Sequence, residues 1–309
     1  MKFTHATQRR LALTAFAVSA CFAASPSAFA WGAGGHMIVA QIAYDKISAE
    51  DPAAKAAVDR LLKVQIAPPS ETGKSTDFVN AAHWADDVRT VDGFQDTAAE
   101  HFIDQPFTQD GTTLPSDLPQ ADNVVVALTK YVGILRSNNS DDATKARALR
   151  FVIHFVGDVH QPLHCATRVS AANAEGDRGG NLVSIRDTVG TTHPKVNLHS
   201  YWDGGLTGFP REGAHFAPPP LSEVSSAAAA ITGKYTLDDQ WKVAGPYNYA
   251  DWAKESFTIA STFVYNGIAS GQVPSDDYVT KGQSITQYRV LTAGYRLAAL
   301  LEAIWPNQN

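Results

Sequence analysis

Residues 151–165, FVIHFVGDVHQPLHC, set polar groups inside what is otherwise a core segment. On a helix of about 3.6 residues per turn, His154 and Asp158 stand one turn apart and present an imidazole and a carboxylate on one face. That is chelating geometry. His164 lies ten residues past His154 and beyond Pro162, which loosens the backbone, so it is free to serve a neighbouring ion. His160 points to the other side of the helix and reads as a core histidine or one that supports a ligand. A lone buried histidine is ordinarily a satisfied core residue; three metal-capable groups within eleven residues are poorly explained that way.

A chain of 309 residues can bury a sizeable core as one domain or two. The first thirty read as an export signal: Lys2, Arg9 and Arg10 precede an apolar run from Leu11 to Ala24, and Ala28-Phe29-Ala30 offers small residues for cleavage. Trp31 then becomes the mature N-terminus. Arg9-Arg10 as a twin-arginine signal, and Val18-Ser19-Ala20-Cys21 as a lipid-attachment site, are the weaker alternatives. The destination is the periplasm or the medium. No later run approaches the ~20 apolar residues of a membrane span, so no stable membrane association is expected, and a monomer is the simplest state.

Removing the leader takes three basic and no acidic residues, so the charge moves from −6 to 22 minus 31, or −9. That balance offers no bulk basic surface of the kind that binds nucleic acid by charge alone. Of the two cysteines, Cys21 leaves with the leader, and Cys165 alone makes no internal disulfide. Bound metal is the obvious substitute for such a staple.

Helical periodicity dominates the rest. Apolar residues recur at three and four spacings from Met37 to Ile47, from Ala53 to Leu62 behind Ser48 and Pro52, and from Val124 to Leu135 behind Asp122. The helix carrying the polar motif starts near Asp141, and others are expected over about 222–233, 249–268 and 277–304. The one strand signal is residues 182–186, a turn around Gly190, then 196–199, a small β-hairpin. Gly176 to Asn181 (GDRGGN) is glycine-rich but lacks the Lys-Ser/Thr of a phosphate-binding loop, so it is a loop and not a nucleotide cradle. The expected fold is mainly α, a single helical domain over 31–309 with one small hairpin.

Other groups can join the central helix. His199 and Asp203 stand four apart in NLHSYWD; Asp86 sits in HWADD; His101 opens HFID; His36 follows Trp31-Gly32-Ala33-Gly34-Gly35. Imidazole nitrogens and carboxylate oxygens suit zinc in open, catalytic sites better than sulfur-rich structural ones. Each pair is common by itself. Their joint presence is not.

In order, WGAGGH, HWADD, HFID, HFVGDVHQPLH, GDRGGN and NLHSYWD resemble the zinc-dependent single-strand-specific nucleases of fungi, plants and bacteria, which are related to bacterial zinc phospholipases C. The likeness runs from Trp31 to about Asp203 and is specific in combination. It implies three Zn2+ ions. One would take Asp86, His101, His154 and Asp158, a second His164, His199 and Asp203, and a third the free α-amino group and carbonyl of Trp31 with His36 and with Asp158 as a bridge. An α-amino group has a reference pKa near 8, so it binds metal far more readily than a lysine, and cleavage before Trp31 would both export and activate. Clustered divalent ions neutralise phosphodiester oxygens and turn water into hydroxide near neutral pH. The implied reaction is hydrolysis of single-stranded DNA and RNA to 5′-mononucleotides with removal of 3′ phosphates from 3′-nucleotides, Asp86 orienting the nucleophile and Asp158 joining the paired ions.

Substrate choice needs groups other than metal. The resemblance implies that Phe102 stacks on a base, worth about 1–3 kcal/mol in any sequence, and that Asp104 accepts hydrogen bonds from its edge; the alternative for Phe102 is core packing. Arg89, where relatives often carry Lys, would contact a phosphate, or is a lone exposed Arg. Gly204 and Gly205 follow Asp203 where some relatives have an Asn that touches the scissile phosphate, so that contact is in doubt here. Two rival readings are a phospholipase C on the same metal scaffold and a non-catalytic zinc-binding protein of the cell envelope. The sequence around Phe102 and Asp104 favours nucleic acid.

Overall fold

The computed structural model describes residues 31–66, 76–89, 91, 93–188, 190–211, 217–237 and 245–306. The expected leader, residues 1–30, its cleavage after Ala30 and the last three residues of the expected domain lie outside the described residues. Nine α-helices are described: α1 Ala33–Glu50, α2 Pro52–Leu62, α3 Trp84–Val88, α4 Val124–Arg136, α5 Asp142–His160, α6 Leu198–Asp203, α7 Leu221–Lys234, α8 Tyr249–Ile259 and α9 Asp276–Ile304. Four three-residue strands complete them: β1 Pro106–Thr108, β2 Thr167–Val169, β3 Ser184–Arg186 and β4 Lys195–Asn197. The mainly α single-domain expectation holds.

Local capping chemistry sets most helix starts. Asp51 accepts from the Ala53 and Ala54 amides ahead of α2, with Pro52 at the first position, where its missing N–H is no loss. Asp141 caps α5 through the Thr144 amide, and Asn197 caps α6 through Ser200. Ahead of α4 the cap is Asn123, one residue later than the expected Asp122: its extended backbone lets the side chain accept from Val125 and Val126 while its amide donates to the Gln120 carbonyl. The helix expected to run to 268 stops at Ile259 and passes through a π segment, Ala260–Val264. There Thr258, Ser261 and Thr262 turn their hydroxyls onto carbonyls three or four residues back, the competition that loosens a helix.

α5 runs through the middle of the molecule, buried along almost its whole length from Ala146 to His160. α1 packs on α9, α7 and α5, and is buried on every side over its first eight residues, Ala33 to Ala40, while its second half keeps a polar face with Asp45 and Glu50. A main core gathers α1, α2, α4, α5, α8 and α9 with Trp31, Trp84 and Trp252. A second, around Leu163, Trp202, Val264 and Tyr278, lies beyond the C-terminal end of α5. The hairpin is β3 with β4, antiparallel, Ile185 opposite Val196; its second arm ends at Asn197 because Asn197 caps α6. A parallel pair, β1 with β2, was not foreseen. Among the described residues no helix is long and apolar enough to cross a membrane.

Candidate metal centre

Helix α5 presents His154 and Asp158 inward, both fully buried. The His154 Nδ1 lies 2.7 Å from the Ala82 carbonyl. A carbonyl only accepts, so Nδ1 carries the proton and Nε2 is the nitrogen left for a ligand bond. That Nε2 faces His101 Nδ1 at 3.1 Å and Asp158 Oδ2 at 3.3 Å, with Asp86 Oδ1 at 3.8 Å. His101 Nδ1 is also 3.1 Å from Asp158 Oδ2. Thus Asp86, His101, His154 and Asp158, four residues from three parts of the chain, converge as the resemblance implies.

The second Asp158 oxygen faces elsewhere. Oδ1 is 3.3 Å from His36 Nε2 and 3.9 Å from His164 Nδ1, so one carboxylate looks into two clusters, as a bridging ligand must. The His36 ring lies flat on His154, centroids 3.8 Å apart at 15°. Trp31 is fully buried beside them: its indole Nε1 donates to the Gly157 carbonyl at 2.9 Å, and its ring meets Phe209 edge-on. The Gly32 amide donates to the Asp203 carbonyl at 3.0 Å, which ties the start of the described chain to the last cluster.

That cluster is His164, His199 and Asp203. α5 ends at His160, and a 3-10 turn over Pro162–Cys165 carries His164 round. His164 Nδ1 donates to the His101 carbonyl and His199 Nδ1 to the Gly179 carbonyl, each at 2.7 Å. Their Nε2 atoms are thereby turned to one another at 3.0 Å, with Asp203 Oδ1 3.7 Å from His199 Nε2. Gln161 steadies this corner: its Nε2 donates to Asp203 Oδ1 at 2.6 Å while its Oε1 accepts from the Leu163 amide.

Three triplets therefore bring their ligand atoms within 4.8 Å of one another: His36, His154 and Asp158; Asp86, His101 and His154; and His164, His199 and Asp203. The fit to a cation is tested by what these atoms lack. Both His36 ring nitrogens, His101 Nε2, Asp86 Oδ1 and both Asp158 oxygens are buried without a hydrogen-bond partner. Such groups cost several kcal/mol each unless an ion satisfies them, and His N with carboxylate O is a donor set that suits zinc. The backbone carbonyls behind His154, His164 and His199 are the supporting partners metal-binding imidazoles use.

Burial and neighbouring charge set the metal-free protonation of each ligand. Burial, aided by the charge of His154, pushes His36 down to about 4, and burial also lowers His101, so both stay neutral and able to bind. Burial alone would lower His154 too, but Asp158 and Asp86 outweigh it and lift it to about 9. Asp158 is held well below the carboxylate range: burial opposes this, and His154, His101 and His36 overcome it. Asp203 goes the other way, raised well above it by burial.

His160, read from sequence as a core or supporting histidine, is that. Its Nδ1 donates to the Val156 carbonyl and its Nε2 receives the Arg296 guanidinium at 3.0 Å. Arg296 and Arg289 share Glu255, and Arg289 also donates to the His160 carbonyl and Ser256 Oγ. This buried group fastens the C-terminal end of α5 to α8 and α9.

Of the expected substrate residues, Phe102 is half-buried and belongs to neither core cluster, while Asp104 follows on the same segment. Burial, then the charge of Asp177, pushes the Asp104 carboxyl up to about 6, Arg178 opposing. The alternative reading of Arg89 as a lone exposed residue is wrong: it is 8% exposed, its Nη1 3.5 Å from Asp86 Oδ1. The short helix α3 puts the two one turn apart, a spacing visible in the sequence. Gly205 turns with φ +59, and a Cβ there would press on the Phe209 ring at 2.8 Å.

Two glycines of the centre lie in motifs noted in the sequence, which assigns neither an individual role. A Cβ at Gly157 would lie 2.6 Å from His36 Nδ1, and one at Gly179 2.3 Å from the Leu163 carbonyl. Gly157 sits directly before the bridging Asp158, which is the only local sign of its role.

Comparison with known proteins agrees with this geometry. A sequence profile described as S1/P1 Nuclease matches residues 31–306. Nuclease S1 of Aspergillus oryzae is 29% identical over 305 residues, covering 93% of this chain and 96% of that protein. Nuclease P1 of Penicillium citrinum is 28% identical over 293 residues, covering 89% and 97%. Endonuclease 4 of Arabidopsis thaliana is 28% identical over 300 residues, 91% of each chain. With the profile matched across all three ligand clusters and nearly the whole described chain, this protein belongs to the S1/P1 nuclease family.

Proposed function

We propose that this chain is an exported, periplasmic or secreted, three-zinc phosphodiesterase that cleaves single-stranded DNA and RNA to 5′-mononucleotides and removes 3′ phosphates from 3′-nucleotides. The observation that carries the reading is the set of three buried nitrogen-and-oxygen clusters, in two of which ligand atoms of His36, Asp86, His101 and Asp158 have no hydrogen-bond partner. Asp86, His101, His154 and Asp158 would hold one ion; His164, His199 and Asp203 a second; His36, Asp158 and the α-amino group and carbonyl of Trp31 the third. Zinc there supplies positive charge against the phosphate oxygens and makes water more acidic.

The protein's own groups do the rest. Asp86 orients the attacking water and takes up its proton, and Arg89 against it favours the ionised carboxylate and would meet a phosphate oxygen. In-line attack at phosphorus breaks the P–O3′ bond; the departing O3′ takes a proton from solvent, and the phosphate stays on the 5′ side. Phe102 stacks on an unpaired base, and Asp104 accepts from its edge; stacking needs an exposed base face, which favours single strands. The chain acts as a monomer and does not insert into membranes.

The test is a metal count on the mature protein, with parallel assays on single-stranded DNA, RNA, 3′-nucleotides and phosphatidylcholine. Three zinc per chain with turnover of the nucleic acids supports the reading. Cleavage of lipid alone would transfer the protein to the phospholipase C reaction, and zinc binding without turnover would make it a non-catalytic envelope protein. Asp86→Asn should abolish hydrolysis while leaving much of the fold.

A further inference from the structure

The glycine-rich stretch Gly176–Asn181 binds no nucleotide by its sequence, yet the structure wraps it tightly against the His164–His199–Asp203 cluster. Gly176, Arg178, Gly179 and Gly180 all have positive φ, at 89°, 56°, 60° and 83°. Glycine takes such angles freely, but Arg178 does not, and its conformation persists only where the surroundings hold it.

What determines it is Asp177. This side chain is fully buried. Its Oδ1 accepts from the Arg168 amide at 3.0 Å, the Gly180 amide at 3.1 Å and the Tyr265 hydroxyl at 2.9 Å. Its Oδ2 lies 3.8 Å from Arg168 Nε. One carboxylate thus joins the loop to β2 and to the turn after the π segment. The Gly176 and Arg178 ends are fixed as well, against Thr167: a Cβ at Gly176 would lie 2.4 Å from Thr167 Oγ1, which accepts the Arg178 amide at 3.1 Å. The product of this winding is a single outward-turned group, the Gly179 carbonyl, 2.7 Å from His199 Nδ1.

We infer that Asp177 is a positioning residue for His199: it winds the Gly176–Asn181 loop so that the Gly179 carbonyl fixes the ring proton on Nδ1, and it thereby sets the zinc affinity of the His164–His199–Asp203 cluster alone. Asp177 does not touch the metal or the substrate. It acts on the ring that does, through one backbone carbonyl, the route by which supporting shells tune metal sites. The inference rests on the zinc reading above, and its test separates the two.

Zinc-loaded protein is titrated with a competing chelator and the metal remaining per chain is followed. The His199→Ala variant marks which step of the titration belongs to this cluster. Asp177→Ala should weaken that step by about 10- to 100-fold and leave the other two at their wild-type positions. Asp177→Asn, which keeps an oxygen acceptor, should restore part of the loss. Tyr265→Phe removes one hydrogen bond to Oδ1 and should weaken the same step about fivefold, the worth of one such bond. It decides the matter if Asp177→Ala does not fold. Unchanged affinity at the marked step in Tyr265→Phe and in every folded Asp177 variant overturns the inference, and so does equal weakening of all steps. A wild-type chain that holds no zinc overturns the zinc reading itself.

Discussion

His36 lies face to face with His154, ring centroids 3.8 Å apart and 15° from parallel, although 118 positions separate them in the sequence. Two imidazoles stacked this closely are disfavoured from both being positively charged, and the charge of His154 helps to lower His36. Their edges converge instead on the two oxygens of Asp158, His36 on Oδ1 and His154 on Oδ2, each at 3.3 Å. The stack is the means by which the first helix and the fifth reach one carboxylate.

Gly157 makes that approach possible, and Gly157→Ala should block it. The added methyl would fall 2.6 Å from His36 Nδ1 and 2.9 Å from its Cε1. His36 is ring-stacked and buried, so relief requires moving it away from Asp158, at about 1–3 kcal/mol for an overpacked site. The variant should lose the ion shared by His36 and Asp158 in a metal count while retaining the His164–His199–Asp203 ion. Full zinc content in that variant would contradict this packing argument.

Zinc affinity at the His154 cluster should rise with pH up to about 9. Without metal, His154 holds a proton there because Asp158 and Asp86 lift it from 6.5 to about 9, so zinc must expel that proton to bind. The sign for the metal-free fold is the reverse. A raised histidine contributes stability fully present below 6.5 and lost as pH climbs through 9. Chelator competition at pH 7 and pH 9, alongside denaturation of the metal-free form, should show the two trends running in opposite directions.

Stripping the metal should destabilise the fold sharply. Asp86 and Asp158 would be left ionised and buried among unsatisfied nitrogens. An ion held at a thousand times its Kd stabilises by about 4 kcal/mol, which for a chain of this size moves the thermal midpoint by roughly ten degrees. Calorimetry with and without chelator checks this, and an unmoved midpoint would argue that the clusters hold nothing.

Glu255→Gln should weaken the fold without touching metal content. Glu255 accepts from both Arg289 and Arg296, and the arginines are almost wholly buried. Losing the carboxylate leaves two buried cations beside His160, at about 3 kcal/mol by analogy with broken buried pairs, somewhat less because Glu255 is itself 38% exposed. Denaturant unfolding should show the loss while zinc per chain stays constant.

What was legible in the sequence follows the range of the forces involved. Helices α2, α4, α5 and α9 could be read because apolar spacing is local, and Asp141 marks the start of α5; the caps Asp51, Asn123 and Ser275 each lie within a few residues of the expected starts but are not the residues the sequence points to. The residues of the three clusters were legible as motifs, and the structure brings His36, Asp86, His101, His154, Asp158, His164, His199 and Asp203 together. Three-residue strands carry too few side chains to show alternation, so the pairing of Phe107 with Arg168 was silent. Gly157 and Gly179 were silent for a related reason, since what demands a glycine there is a ring or carbonyl from a distant segment. The burial of Arg89 depends likewise on what covers α3.

The closest approach of α1 to α9 has a consequence for the order in which this protein can be made. A Cβ at Gly294 would lie 2.6 Å from Ile42 Cγ2 and 3.1 Å from the Val39 carbonyl, so the two helices cross nearly in backbone contact. α1, which carries His36, leaves the ribosome well before α9. Until Gly294 has emerged, Val39 and Ile42 lack the helix they pack against, and α1 must wait for a partner about 250 residues further along the chain. A chain interrupted between residues 203 and 294 would carry every ligand residue and no settled place for His36, so truncation there should disable a centre whose ligands it leaves intact.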